Sequence, residues 1–318
     1  MTLSVDVVIA AYGRYDLTAN CLRHLAQQTL PHRVILVDNG STDDTSAAVG
    51  RDFPEVDVLK LPSNERYAVA TNRGAHQGRG DVIVMLNNDV DCRPDFLRRL
   101  IAPLEADPQT GSAAALLVRP GEVSIDSIGL TADPTLACFP RLQGHPVAEA
   151  GAPEPLLAGP AGAAAAYRRS AWEDVGGLDE MIFAYMEDFD LALRLRIAGW
   201  ETALALDAVG VHIGSATHGH RSAWQRRHGG FGRGYVLRRY GVLRSRLAAR
   251  ALATEAIVVV GDLAISRDIS ALRGRIEGWR AGASRPRLPR PPAEAIDAAI
   301  GLRKSLDLRR GVYERRAA

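Results

Sequence analysis

Cysteine is scarce in this chain. Three residues in 318, Cys21, Cys92 and Cys138, are widely spaced and odd in number. That excludes a disulfide framework and a paired-cysteine zinc site, and it suits a reducing, cytoplasmic setting. Long apolar runs are missing too. The longest in the basic C-terminal region, around AIVVV, falls far short of the roughly 20 residues that span a bilayer. MTLSVDVVIAAYGR lacks a basic leader before a long apolar core, so no signal peptide is expected. No G-x-G-x-x-G follows the first apolar run, which removes the main support for a dinucleotide-dependent dehydrogenase. The absence of G-x-x-x-x-G-K-[ST] and G-x-S-x-G removes a P-loop and a serine-hydrolase elbow.

What is present is the composition of a soluble globular protein, 47% apolar and 24% charged. The net charge of +2 hides an asymmetry: residues 218–318 carry 22 Lys/Arg against 8 Asp/Glu, and residues 1–217 carry 17 against 29. Two differently charged parts suggest two jobs, with a division expected between 217 and 218.

Strand and helix patterns alternate through the first hundred residues. VDVVIAA, RVILVD, VDVLKLP and DVIVML read as strands. The stretch from Asp16 to Gln28, TSAAVGRDF, YAVATNRGAHQG and a segment beginning near Pro94 read as helices. Such alternation predicts an α/β fold with a parallel sheet covered on both faces. Residues 119–160, rich in Gly and Pro, are expected to form a β-containing excursion or loop. After His212 the chain is Arg-rich and helical, with a Pro-interrupted linker at 284–294.

Ligands of open α/β sheets bind beyond the carboxyl ends of the strands. Three such ends carry polar or small residues: AAYGR, DNGSTDD and NNDVD. In NNDVD, Asp89 and Asp91 offer hard oxygen ligands for Mg²⁺ or Mn²⁺; the competing reading is a turn held by Asn and Asp side chains. In DNGSTDD, Asp38 and Asn39 can hydrogen-bond a base or ribose, or the segment is an Asx-type turn with Ser41 or Thr42 capping the next helix. His212 ends an apolar run in VGVHIGS, as a structural histidine or as a partner for a cation; His218 and His220 carry less weight.

FAYMEDFDLALR crowds Glu187, Asp188 and Asp190 among Phe183, Tyr185 and Phe189 at the start of a helix. Acids there favour the helix dipole by about 0.3–1 kcal/mol each. That does not account for aromatic neighbours, which exclude water and raise a carboxylate's pKa, as a general base for an alcohol requires.

Together and in order, these segments resemble the inverting glycosyltransferases of family 2, and most of all their rhamnosyltransferase-like branch. The carrying residues are VVIAAYGR, ILVDNGSTDDT, NERYAVATNRG, VMLNNDV, VGGLDEMIFAYMEDFDLALRLRIAGW and VHIGSAT, over about the first two-thirds of the chain. The resemblance implies a GT-A fold with a C-terminal helical, Arg-rich extension, a nucleotide-diphospho-sugar donor, a glycan or polyprenyl-linked acceptor, and Mg²⁺ or Mn²⁺. It implies that Asp38 contacts the base, that Ala10, Tyr12, Arg14 and Asn39 surround the nucleoside, and that Asn72 supports it. Asn88 and Asp89 would stand at the D-x-D-type element, with Asp89 the metal ligand and His212 completing the site. Asp188 would be the base beside Glu187, with Asp190, Arg194, Gly177 and Trp172 on the acceptor and scaffold side. Two departures stand out: Arg66 occupies a position where relatives usually have glycine, where it would either add a phosphate contact to the nucleotide-sugar or obstruct its approach, and Asn87 replaces the first Asp of D-x-D.

The basic region has two readings, an amphipathic helix on the inner face of an anionic membrane or solvated arginine on helices packed against the acidic part. Nucleic acid is not expected, since no reader motif accompanies the charge. The rival to an enzyme is a non-catalytic module that binds nucleotide-sugar or glycan.

Overall fold

The computed structural model describes residues 2–214 and 222–314, with side chains to Arg309. His218 and His220 lie outside the described residues. The chain runs β1 (Val5–Ala11), α1 (Tyr15–Leu25), β2 (Arg33–Asp38), α2 (Thr45–Asp52), β3 (Asp57–Lys60), α3 (Tyr67–Gln77) and β4 (Val82–Leu86). It continues with β5 (Val90–Cys92), α4 (Phe96–Ala106), β6 (Thr110–Val118), β7 (Ile125–Ser127), β8 (Leu130–Ala132) and β9 (Cys138–Pro140). Then come β10 (Ala164–Arg168), α5 (Arg169–Asp174), α6 (Glu187–Ile197) and β11 (Glu201–His212). The last elements are α7 (Ala223–Arg239), α8 (Ala248–Ser266), α9 (Ser270–Ala283) and α10 (Leu302–Glu314).

Strand side chains alternate between two apolar layers, as the period of two requires. Val7 and Ile9 of β1 and Val84 and Leu86 of β4 pack with α1 and α4 on one face. Val8, Ile83 and Met85 pack with α3, α5 and α6 on the other. Burial on both faces is why these strands read as unbroken apolar runs. On α1, Thr18, Cys21, Leu22 and Leu25 form the buried stripe that its helical spacing predicts.

The main sheet has the order β3-β2-β1-β4-β10-β6-β11-β5, with β7 on β6. It is not wholly parallel. β10 enters antiparallel between β4 and β6, and β5 lies antiparallel on β11. β10 follows the long excursion, which holds β7 and the β8–β9 hairpin, so it returns from the far end of the sheet. Ser41 and Thr42 do not cap α2; Asp44 stands at that boundary.

The expected division at 217/218 does not divide the core. Val236 and Leu237 of α7, with Tyr240 just after it, share one apolar cluster with Phe189 and Leu193 of α6 and with Leu130 and Ala132 of β8. Buried Glu255 of α8 anchors the helices ionically, accepting from Arg233 and Arg275 at 2.7 Å each and lying 3.4 Å from Arg309. Helices α7 and α9 touch backbone to backbone. A Cβ at Gly234 would lie 2.0 Å from the Arg275 carbonyl oxygen, and one at Gly278 1.9 Å from that of Phe231. Among the described residues, no helix is long and apolar enough to cross a membrane.

Candidate active site

β1 and β4 are neighbours in the sheet but not in sequence, so the winding reverses between them and their carboxyl ends open a crevice. A cleft of about 480 Å³ lies there. Ala10 lines it from β1, Tyr12 and Asn39 from just past the ends of β1 and β2, and Asn88 and Asp89 from the turn after β4. His212, Glu187 and Asp188 line the same cleft, although they come from β11 and α6. The structure thus brings Asp89 and Asp188 to one cavity.

Other expected residues lie elsewhere. Asp38 is fully buried, and its carboxylate accepts from the Ser41 N–H at 2.8 Å and from the Ser46 hydroxyl. It stitches the turn between β2 and α2 and does not line the cleft. Asp91 turns toward α1, accepting from the Asn20 amide at 2.6 Å with His24 3.8 Å away, so it does not join Asp89. Arg14 is exposed and bonded to Asp16, whose hydrogen bond raises its pKa, with a lesser contribution from the charge of Asp89.

Asn72 is fully engaged with the segment after α5, donating to the Leu178 carbonyl at 2.9 Å and accepting from its N–H at 2.9 Å. With Trp172 and Gly177 it lines a separate, open depression. Arg66 has φ +87°, a backbone region that favours glycine, which is the physical sense of glycine at this position in the family pattern. Its guanidinium donates to the Glu180 carbonyl at 2.8 Å and lies 5.9 Å from the Phe183 ring centre, tying down the loop before α6.

The strand register places His212. It pairs opposite Val90, beside Asp89, and its Nε2 is 3.4 Å from the Asp89 carboxylate. On the other side of the ring, Nδ1 is 2.7 Å from Asp126 of β7, which is carried there by pairing with β6. Burial lowers the imidazole's proton affinity, but hydrogen bonds and charge from Asp126 and Asp89 outweigh it and raise the pKa to about 9. A carboxylate on Nδ1 that orients Nε2 toward a second carboxylate is the outer-shell arrangement typical of metal-ligating histidine. Among the described residues no group of three or more His, Cys, Asp or Glu forms a complete cage. One carboxylate and one imidazole fit a divalent cation that takes its remaining ligands from phosphate and water.

The loop before α6 is strained. Tyr185 and Met186 have φ +66° and +75°, and two consecutive non-glycine residues there cost of order 1–3 kcal/mol each. Helix α7 holds them in place. A Cβ at Gly232 would stand 2.7 Å from the Tyr185 carbonyl oxygen, so glycine is required for the close approach.

The three acids that follow do three different things. Asp190 is fully buried, receiving Arg194 at 2.7 Å and the Tyr240 hydroxyl at 2.8 Å. It is a strut. Asp188 accepts from the Gly162 N–H at 2.8 Å and the Phe189 N–H at 2.7 Å. Burial raises its pKa and these two donors restrain the rise. Burial, with the neighbouring Asp188 charge, pushes Glu187 to about 8, and its Oε2 is buried with no hydrogen-bond partner among the described residues. Glu187, pushed to about 8, favours its protonated form at neutral pH, while the Gly162 and Phe189 N–H groups favour the charged form of Asp188. The Tyr67 hydroxyl, bonded to Asn87 at 3.1 Å, is held protonated by burial and by the fields of Glu187, Asp188 and Asp89.

Phe183 and Tyr185 face the cleft, and Trp224 of α7 completes the wall with ring centres 6.0 Å from each. Phe189 is not part of it; it is fully buried in the core. Sequence reasoning missed Asp126, Gly162, Trp224 and Gln225, all of which line the cleft. Asp126 sits in the Gly/Pro-rich excursion and Gly162 in the small-residue run just after it, with no local signal at either. The only hint of Trp224 was an aromatic residue within an otherwise basic stretch.

The family model "Glycosyl transferase family 2" matches residues 6–176, and "Glycosyl transferase family group 2" matches residues 151–271. The chain is 30% identical over 233 residues to the N-acetylglucosaminyl-diphospho-decaprenol L-rhamnosyltransferase of Mycobacterium tuberculosis, covering 65% of this chain and 76% of that protein. It is 26% identical over 234 residues to the O-antigen biosynthesis protein RfbC of Myxococcus xanthus, covering 68% of this chain but 18% of that one. Among solved structures it is similar to the mannosyltransferase PcManGT from Pyrobaculum calidifontis in complex with GDP-Man and Mn²⁺, with TM-score 0.54 and 19% identity over all of this chain and 83% of that one. It is also similar to GalNAc-T7 with UDP, GalNAc and Mn²⁺, with TM-score 0.58 and 14% identity over 75% of this chain and 48% of that one. With the crevice at the β1–β4 switch and these matches together, the chain belongs to glycosyl transferase family 2, a glycosyltransferase of GT-A fold on the rhamnosyltransferase-like side of that family.

Proposed function

We propose that the cleft transfers a sugar from a nucleotide-diphospho-sugar to a hydroxyl of a lipid-linked saccharide, with inversion at the anomeric carbon. The observation that carries the reading is that a carboxylate–imidazole pair, Asp89 and His212, and a separate carboxylate, Asp188, open on one cavity. Asp188 takes the acceptor hydroxyl's proton as the new bond to the anomeric carbon forms and the bond to the diphosphate oxygen breaks. Asp89 and His212 would hold a divalent cation, Mg²⁺ or Mn²⁺, which neutralises charge growing on the departing diphosphate. Ala10, Tyr12 and Asn39 border the nucleoside end, and Asn39 is pre-set by the Glu65 N–H on its amide oxygen at 2.9 Å.

The mycobacterial relative's rhamnosyl donor and decaprenyl-linked acceptor support dTDP-rhamnose and a polyprenyl-diphospho-saccharide here, with UDP- or GDP-hexoses as the next donors to try. The three free cysteines, two of them buried, fit a cytoplasmic site of action. The alternative is a module that binds the donor without turning it over.

The test is nucleotide-diphosphate release from dTDP-rhamnose, UDP-hexoses and GDP-hexoses with Mn²⁺, with and without a polyprenyl-diphospho-N-acetylglucosamine acceptor. Acceptor-dependent release, and a product anomer opposite to the donor's by NMR, are the expected results. Binding of donor with no release above buffer would leave only the module. Asp89→Asn is expected to abolish the Mn²⁺-dependent part of the donor's thermal shift, a loss of a few degrees. Trp224→Ala is expected to raise the acceptor KM about two- to tenfold while donor hydrolysis without acceptor stays within about twofold, since aromatic contacts contribute about 0.5–1.5 kcal/mol each.

A further inference from the structure

Helix α8 is apolar, yet only Ala251, Thr254 and Glu255 of its 19 residues are buried. Leu252, Ile257, Val260, Leu263 and Ile265 are exposed, Val260 at 64% and Ile265 at 79%. The exposed aliphatic residues continue through the turn at Ile269 into Leu272 and Ile276 of α9. From Leu252 to Ile265 these side chains extend about 20 Å along the helix axis, and such a surface marks an interaction site.

Along this stretch of the chain the exposed charge is of one sign. Every exposed charged residue between positions 244 and 290 is an arginine: Arg244, Arg246, Arg267, Arg273, Arg280, Arg285, Arg287 and Arg290. The acids of this stretch, Glu255, Asp262, Asp268 and Glu277, are buried or half-buried. A second copy of this chain seated on the stripe about a two-fold axis would set arginine against arginine. A protein partner would be expected to meet aromatic anchors, and the stripe offers only Leu, Ile, Val and Ala.

We propose that the outer face of α8 and the start of α9 docks on an anionic lipid bilayer, its aliphatic side chains entering the headgroup boundary and its arginines meeting lipid phosphates. This is peripheral binding in the plane of the surface, which needs apolar area and cationic attraction but no spanning length. It stands on surface chemistry alone and does not depend on the glycosyl-transfer reading.

The test is flotation of the full chain with phosphatidylcholine vesicles carrying 30% phosphatidylglycerol, against phosphatidylcholine alone. Binding is expected to the anionic vesicles only, and to fall with added salt. Val260→Asp/Ile265→Asp, both at exposed positions, is expected to lower the partition coefficient tenfold or more with an unchanged melting temperature. Arg246→Gln and Arg267→Gln should each lower it about fivefold. Three results would overturn the proposal: no flotation at low salt, flotation untouched by the aspartates, or light scattering showing a dimer that the aspartates dissolve.

Discussion

Asp188→Asn is expected to lower the rate of transfer by about 10²–10⁴-fold, the range for loss of a positioned general base, while donor affinity changes little. Asparagine keeps the shape and can still face the Gly162 and Phe189 N–H groups, but it cannot take a proton. Glu187→Gln is the informative contrast. Glu187 is pushed to about 8 by burial and by Asp188, so at pH 7 the amide replaces a carboxyl that is already neutral, and the rate should stay within about threefold. The two variants diverge again in alkali. As pH rises through about 8 the wild type gains a second negative charge beside Asp188, and its rate should fall, whereas Glu187→Gln should show no such limb. Equal losses in the two variants at pH 7 would sink the division of roles between these acids.

Stability carries the same signature with a defined sign. Glu187 is neutral below its ordinary 4.5 in both folded and unfolded chains, and its raised folded value costs stability from there up to about 8. Glu187→Gln should therefore melt higher than wild type at pH 7, with the gap closing below about pH 4.5. Thermal unfolding across that range measures it directly.

Glu255→Ala is expected to cost about 3–5 kcal/mol, the usual consequence of removing one partner from a buried ionic group. Burial works against the ionised carboxyl, but Arg233, Arg275 and Arg309 outweigh it and hold its pKa far below the ordinary 4.5. Arg233 also donates to the Thr135 and Leu136 carbonyls at 2.9 and 2.8 Å, joining α7 to the β8–β9 hairpin. Without Glu255, three guanidiniums lose the carboxylate that joins them, and Arg233 keeps only the Thr135 and Leu136 carbonyls and the Thr135 hydroxyl. Because the folded pKa is depressed, this stabilisation is complete above about pH 4.5 and is lost as the pH falls below it. The measurement is a melting curve at pH 7 and pH 4. An unchanged midpoint at pH 7 would show that the ionic cluster does not hold the helices.

Much of the catalytic half was legible because β1, β2 and β4 are buried on both faces, and such strands write themselves as continuous apolar runs. Asp89 and Asp188 were legible for a related reason: each stands where a regular element begins or ends, so its placement follows from local pattern. Asp126 was not, because its position depends on β7 pairing with β6 and on β6 lying beside β11. The antiparallel entry of β10 was hidden for the same reason, since a strand's direction is set by where the chain has travelled before it arrives. Asp38 misled because a strand-end aspartate can turn outward to a ligand or inward to the next turn. Residue type does not distinguish the two. Trp224 lay in a stretch whose arginines dominated any reading of composition.

The contact between α7 and α9, glycine against main chain, leaves no soft layer between the two rods. A methyl group added on the outer one has nowhere to go except into displacement of the inner one, and with it the indole that borders the reaction chamber. On the proposed reading of the cleft, acceptor selectivity would therefore shift through changes at positions such as Gly274 or Gly278 that never meet a sugar, which makes the rear of this molecule a tuning screw for its front.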